Sequence, residues 1–409
     1  MVRLRGATVV SPEGLVRDAA LVITDGTIAE IAPDTGASAD DVACDGGWIV
    51  PGFIDTHIHG LHGMDVLADA AAGAVAAVAS ALPRYGVTGF LPTSVACPPA
   101  DLATFLAAVS VAAADPAPPG ARVLGAHLES NFISADFKGA QPARCLRLPP
   151  VPGEPLERDG AFTGAAILAT IDTHSGAVRI VTLAPELPGA LDLVARLTAG
   201  GHRVSLGHSA ATFDQARAAI AAGACHATHL FNRMPPLSHR APGLAGAVLA
   251  ADGVICEIVA DGHHVHPAMM QMAIRAKGRG RVAAITDAAA VAGLPPGATA
   301  RLGDQTIRAG ARCAELPDGT IAGSIVTMDA AFRLLVTAVG LSVVDAAHLT
   351  ATTPAAAAGR PDLGRLAVGH PADLVVLDAG FRVRQTWVAG RCVWNSGGGT
   401  AVSPAEVRS

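Results

Sequence analysis

The apolar run "FIDTHIH" ends on two histidines one residue apart, His57 and His59. In an extended strand residues i and i+2 point to the same side, so both imidazoles can face one ion. Taken alone, such a pair is a weak signal, since strand-end histidines are often structural or solvated. The chain repeats the device, however: Glu129 ends "AHLE", His208 ends "SLGH", His229 lies in "ATHL" and Asp287 in "AITD". Imidazole and carboxylate groups from separate strands are the ligand types of a divalent ion. An ion held this way makes hydroxide from water near neutral pH and polarises a carbonyl, which is the chemistry of metal-assisted hydrolysis.

Elements able to bring these residues together are visible in the pattern. Between about residues 51 and 365, apolar strand-like runs such as "GVTGFLPTS" and "RVLGAHLES" alternate with Ala-rich helical stretches at Ala70–Tyr85 and Asp101–Ala114. A repeated βαβα order over roughly 300 residues predicts a parallel (β/α)8 barrel of TIM type, whose chemistry sits at the C-terminal ends of its strands. Six runs, "FIDTHIH", "VLGAHLES", "RVSLGHS", "CHATHLFN", "VICEIVADGHH" and "VAAITDA", pass from apolar residues into His, Glu or Asp. Short β-type runs also open the chain ("ATVV", "AALVITDG", "TIAEIAP") and close it ("ADLVVLD", "VRQTWVAG", "RCVW"). The expected organisation is therefore a catalytic barrel at 51–365 and a small β-sandwich domain built from both ends, residues 1–50 plus 366–409. Residues 142–152, rich in Pro and Arg, and 234–243, rich in turn formers, read as lids or interface loops.

Composition narrows the class. Four hundred and nine residues exceed the usual single core, and a net charge of -6 with no long basic block leaves no footprint for nucleic acid. Ala- and Val-rich stretches are broken before the ~20 residues needed to cross a bilayer, so no membrane span is expected. The 7 cysteines include no CxxC pair and read as reduced thiols of a cytoplasmic protein. His62, His127, His202, His226, His239, His263, His266, His348 and His370 read as structural or solvated, and Asp55 as a strand buttress or a partner of a ligand histidine.

The set "PGFIDTHIHG", "HLES", "FKGA", "SLGHSAATFDQA", "ATHLFNRMPPLSHRAPG", "ADGHHV", "AITDA" and "AGSIVTMDAA" resembles the amidohydrolase superfamily, and within it the N-acetylglucosamine-6-phosphate deacetylase family, from about Pro51 to Asp378. The resemblance implies a barrel with a small β-sandwich from both ends. It makes Glu129, His208 and His229 the main metal site, and with His57 and His59 present it makes a second ion bridged by Glu129 feasible. It makes Asp287 the general acid/base, and Asp287 is also counted among the metal-site residues. The cofactor is one or two divalent ions, Zn first, with Fe, Co or Mn as alternatives. The substrate the resemblance implies is the N-acetyl amide of a phosphorylated amino sugar, expected to be contacted by Ala140, Gln141, Asn232, Arg233, Arg240, His264 and Ile321. Arg240 is expected to reach a neighbouring active site in a homodimer.

The match breaks at four positions near the site. Ser130 and Asn131 replace the family's Gly-Pro, Gln141 stands for a histidine, and Arg233 for a small residue. These changes open an alternative, an amidohydrolase acting on a different N-acyl sugar or a cyclic amide. A non-catalytic scaffold is disfavoured, because it would have lost ligands that are all present.

Overall fold

The computed structural model describes residues 1–36, 41–44, 46–115 and 118–397, so residues 398–409 of the expected terminal domain lie outside the described residues. Its centre is one parallel sheet running Phe53–Ile58, Val87–Ser94, Ala126–Glu129 (preceded by the short Arg122–Val123), Val178–Leu183, Arg203–Leu206, His226–Ala227, Ile255–Val259 and Val282–Ile285. Closure comes where the Asp287 N–H donates to the His57 carbonyl at 2.9 Å and Ile58 bridges Ala288 in parallel. The result is an eight-stave barrel, with helices between the staves. Strands one and two are buried at every position, because a barrel strand is covered by side chains inside and by helices outside. Helix starts carry local signals: Pro99–Ala113 begins on proline with Asp101 in its first turn, and Phe213–Ala221 is opened by a Thr212/Gln215 capping box.

The ends of the chain form a second sheet. Val2–Ser11, Gly14–Thr24, Thr27–Pro33, Val42–Ala43 and Trp48–Pro51 join Leu374–Leu377, Val383–Val388 and Arg391–Asn395. The eight strands are hydrogen-bonded as one sheet that curls over. The Gly26 turn meets the Ala389–Gly390 turn, where a Cβ on Gly26 would lie 2.9 Å from the Ala389 carbonyl oxygen. Leu4, Leu21, Ile28, Ile49, Leu374 and Trp387 share its own apolar cluster. Trp48–Pro51 pairs antiparallel with Leu374–Leu377 and runs through Gly52 directly into barrel strand one. Arg122 clamps this seam, donating to both carboxylate oxygens of Asp373 at 2.8 and 3.2 Å.

An antiparallel sheet of Thr299–Leu302, Gln305–Ala309, Cys313–Glu315 and Ile321–Ser324 follows barrel strand eight and was not anticipated from the sequence. Its strands are three to five residues long and separated by Gly and Asp turns, too short for the alternation of sides to register. It returns to the barrel mouth, where the Ser324 N–H donates to the Asp287 carbonyl at 2.7 Å.

At the barrel's base, the Phe53 ring stacks on Phe332 with centroids 5.1 Å apart, and Gly86 leaves room for it, since a Cβ there would approach the ring to 2.7 Å. Phe53→Ala is expected to cost about 3–5 kcal/mol of stability, seen as a lowered denaturation midpoint. A loss below about 1 kcal/mol would show that the neighbours refill the space.

Candidate active site

The C-terminal ends of the strands deliver the six expected ligand and acid residues to one place. His57 comes from strand one and His59 directly follows it, Glu129 holds the last position of strand three, and His208, His229 and Asp287 lie in the turns after strands five, six and eight. The last three hold left-handed backbone, φ 47°, 29° and 50°. A non-glycine residue there is strained, which is characteristic of positions where a side chain must be aimed.

Two groups of donor atoms share Glu129. In the first, Glu129 Oε1 lies 2.8 Å from His208 Nε2 and 2.8 Å from His229 Nε2, which are 3.0 Å from each other. In the second, His57 Nε2 and His59 Nε2 are 3.2 Å apart and lie 3.4 and 3.3 Å from Asp287 Oδ1; His59 Nε2 is also 3.6 Å from Glu129 Oε2. Bonds of ~2.0–2.1 Å to a tetrahedral ion separate its ligand atoms by about 3.3–3.4 Å, so the second group has the right size as it stands. The first needs to open by a few tenths of an ångström.

Tautomers give an independent test of fit. His59 Nδ1 faces the Thr93 carbonyl at 3.0 Å and His208 Nδ1 faces the Phe137 carbonyl at 2.8 Å. A carbonyl only accepts, so in both neutral rings Nδ1 carries the hydrogen and Nε2 turns its lone pair into the site. His57 Nδ1 faces the Glu257 carboxylate at 3.1 Å, with the same effect. Lone pairs and two carboxylates thus converge, and a cation is what completes the cluster. The electrostatics agree. Burial would lower the His57 pKa, yet Asp287, Glu257 and Glu129 push it up to about 10. Burial would raise Glu129, yet His208, His229 and His57 hold it well below the usual carboxylate range. Asp287 is likewise held down, by His57, His59 and His229 against burial.

Beneath the ligands lies a buried polar layer. Asp55 accepts from the Thr286 hydroxyl and from the backbone N–H groups of His57 and Thr286, tying strand one to strand eight; burial lifts its pKa to about 7. Glu257, wholly buried on strand seven, accepts from the Thr56 hydroxyl at 2.9 Å and faces His57. His226 Nε2 stands 3.2 Å from Glu257 but makes no hydrogen bond there. His127 bonds the Thr56 carbonyl and the Thr182 hydroxyl at 3.0 and 2.8 Å. Sequence reasoning missed Glu257. The signal was present as an acid in the middle of "ICEIV", a position that a barrel strand buries.

Above the ligands a cavity of about 460 Å³ opens, lined by His59, Glu129, His208, His229 and Asp287 at its floor and by Ala140, Gln141, Asn232, Arg233, His264 and Ile321 among its walls. Six of the seven residues expected to touch substrate therefore face it. The seventh, Arg240, is exposed on the 234–243 loop and lines no part of its own chain's cavity. The Leu302 and Ile321–Gly323 wall comes from the unanticipated sheet.

Two of the departures prove to be scaffold changes rather than pocket changes. Ser130 donates to the Thr182 carbonyl at 2.6 Å, and Asn131 donates to the carbonyls of Cys97 and Cys145 at 2.8 and 2.7 Å. Both are buried outside the cavity lining, so the loop is polar but its polar groups are spent on backbone. Gln141 instead enters the site, its NH2 donating to Glu129 Oε2 and its carbonyl accepting from the Ala96 N–H at 2.8 Å. Of the histidines read as structural, His62 bonds the Tyr85 hydroxyl, His202 the Val178 carbonyl and His266 caps helix Pro267–Lys277.

Because Glu129 alone belongs to both groups, Glu129→Ala is expected to remove tight divalent-ion binding at both, and His59→Ala only at the first-strand group. Elemental analysis of purified variants checks this. Glu257→Gln is expected to weaken the first-strand group roughly 10–100-fold through loss of the partner that orients His57. Equal metal content in Glu257→Gln and the parent after dialysis against a chelator would refute it.

Comparison with known proteins agrees with this geometry. Residues 48–393 match the model of the amidohydrolase family. The chain is 37% identical over 391 residues to N-acetylgalactosamine-6-phosphate deacetylase of Escherichia coli O157:H7, covering 95% of this chain and 98% of that one. It is 37% identical over 373 residues to N-acetylglucosamine-6-phosphate deacetylase of Danio rerio, covering 88% of each. The structure of N-acetyl-D-glucosamine-6-phosphate deacetylase from Mycobacterium smegmatis in complex with N-acetyl-D-glucosamine-6-phosphate superposes with a TM-score of 0.86 at 34% identity, covering 96% of this chain and 99% of that one. The chain belongs to the amidohydrolase family and, within it, to the N-acetylglucosamine-6-phosphate deacetylase family.

Proposed function

We propose that the protein hydrolyses the N-acetyl amide of N-acetylglucosamine 6-phosphate, giving glucosamine 6-phosphate and acetate. The observation that carries this reading is the convergence of three imidazoles and two carboxylates on the floor of a cavity large enough for a sugar, with a fourth imidazole, His57, buried behind them. His57, His59, Glu129, His208 and His229 would hold one or two divalent ions, Zn first with Fe, Co or Mn as alternatives, and such an ion would lower the pKa of water and polarise the acyl carbonyl. Asp287 takes the water proton at Oδ1 and returns it to the departing nitrogen, which cannot leave as an amide anion. Its left-handed backbone is clamped from both sides, N–H to the His57 carbonyl and C=O from the Ser324 N–H, so the carboxylate is held in line for both transfers. Gln141 holds Glu129 through its amide. Asn232 spends its NH2 on the His229 and Leu230 carbonyls and keeps its carbonyl oxygen free for a sugar hydroxyl.

Homodimerisation, with Arg240 lent to a second copy, fits that residue's exposure away from its own cavity. A cytoplasmic setting fits seven free cysteines, six of them buried. Among the described residues no helix is long and apolar enough to cross a membrane. A second reading, the galacto epimer as substrate, is favoured by the relative that carries that name.

Amine release from N-acetylglucosamine 6-phosphate, its galacto epimer and unphosphorylated N-acetylglucosamine separates these readings. The expected result is turnover of the gluco 6-phosphate, lowered at least ~10²-fold in kcat in Asp287→Asn with metal content retained. Faster turnover of the galacto compound would transfer the assignment to it, and no amine from any of the three with metal bound would overturn the deacetylase reading.

A further inference from the structure

The opposite end of the barrel holds a cluster of basic side chains that the chemistry at the mouth does not use. A cavity of about 200 Å³ lies where the terminal sheet meets the barrel base. Its lining joins distant parts of the chain: Ser11 and Pro12 at the end of the first sheet strand, Pro51 just ahead of barrel strand one, and Arg279, His348 and Arg365. Pro51 and Arg279 precede strands one and eight, so the cavity lies at the N-terminal face of the barrel, whereas barrel chemistry sits at the C-terminal face.

Arg365 is the anomaly among these groups. Among the described residues its Nε is buried with no hydrogen-bond partner. The acids of the neighbouring segments are engaged elsewhere: Asp345 accepts from Arg279 at 2.9 Å and from the Ser342 hydroxyl at 2.7 Å, and Asp362 accepts from Arg360 at 2.8 and 2.6 Å. A guanidinium withdrawn from water without an acceptor is costly, and a counter-charge removes that cost. The field around it is positive. Burial, then Arg279 and Arg365, hold the His348 pKa below its usual value against the pull of Asp345, and the neutral ring still offers one N–H.

The three basic groups share one frame. His348–Thr352 forms a π-helical turn, an uncommon form that clusters at functional sites. At its end the Thr352 hydroxyl donates to the Gly364 carbonyl at 2.6 Å, and the next hydroxyl, Thr353, donates to the Arg279 carbonyl at 2.8 Å. A Cβ on Gly364 would run into the Ala351 carbonyl, so the residue before Arg365 is pressed on the same turn. The backbones that carry both arginines are therefore placed by the fold, not by pairing of the arginines themselves.

We propose that Arg365, Arg279 and His348 form a binding site for a small tetrahedral oxyanion, orthophosphate or the phosphoryl end of a small metabolite, which ties the terminal sheet to the barrel base. Guanidinium groups suit such a ligand because each presents a planar fork to two oxygens. Arg279 gives one nitrogen, Nη1, to Asp345 and keeps the rest of its fork for the anion. The site is separate from the mouth and does not rest on the deacetylase reading. Binding only to the folded chain, the anion stabilises it by mass action.

The test titrates the full, metal-loaded chain with orthophosphate and, separately, glycerol 3-phosphate, at an ionic strength matched with chloride. Calorimetry and the thermal midpoint are read for the parent, Arg365→Met and Arg279→Met. Orthophosphate is expected to raise the parent's midpoint through a site that Arg365→Met weakens by on the order of 10–100-fold, and that Arg279→Met weakens less. Phosphate taken up at the mouth is common to all three proteins, and equal metal content in them shows that the mouth is intact. Without phosphate, Arg365→Met should melt no lower than the parent, because a buried unpaired charge has gone. Whichever probe binds more tightly through Arg365 identifies the source of the phosphoryl group. An equal response to both probes in the parent and Arg365→Met, or a midpoint that chloride raises as far as phosphate does, overturns the proposal.

Discussion

Everything at the mouth of this barrel answers to one electrostatic demand: three imidazole Nε2 lone pairs of fixed direction and two carboxylates are gathered, largely buried, around a point that needs positive charge. Such a cluster is costly in a folded chain unless a cation neutralises it, since unpaired buried charge and facing lone pairs lose their hydration without replacement. The surrounding architecture can be understood as what keeps these groups from relaxing apart. The carbonyls of Thr93 and Phe137 and the carboxylate of Glu257 fix three of the rings, Gln141 fixes the shared carboxylate, and Asp55 locks the first strand to the last. Because proton and metal compete for the same lone pairs, the pull that lifts His57 is also the pull that would retain an ion.

The polar layer below the ligands gives the barrel interior an unusual character. Where packed barrels are filled by branched apolar side chains, this one places Thr56, His127, Thr182, Ser205, His226, Thr228 and Glu257 in contact, with hydroxyls bonding hydroxyls at 2.5 and 2.7 Å. A network of this kind is stabilising only when nearly every member is satisfied, and here the exceptions are the ring nitrogens of His226. His226 Nε2 lies 3.2 Å from the Glu257 carboxylate without a directed bond to it.

Much of this was legible in the chain because strand ends announce themselves: "FIDTHIH", "AHLE", "SLGH" and "AITD" each pass from buried strand to polar residue at the point where the barrel opens. Periodicity also located the two terminal clusters of strands. Three features were not legible. The 299–324 sheet is made of strands too short to show a period, although it supplies one wall of the cavity. Glu257 sits inside an apolar run, and its role depends on which residue of another strand stands opposite. Ser130 and Asn131 are polar and adjacent to a ligand, which suggested a changed pocket. Only the three-dimensional path shows their side chains turned toward the backbones of residues 97, 145 and 182.

The seam between the chain's two ends bears on the order of assembly. Trp48–Pro51 finds one neighbour, Val2–Ser11, early in synthesis, but its other edge is met only by Leu374–Leu377, more than 300 residues later. Until that segment leaves the ribosome, the strand that leads into barrel strand one presents open backbone groups, the kind of edge that recruits wrong partners. Pairings this distant in sequence are slow to form. A chain truncated before Leu374 would carry its candidate metal-binding residues on a barrel whose entrance strand remains half zipped.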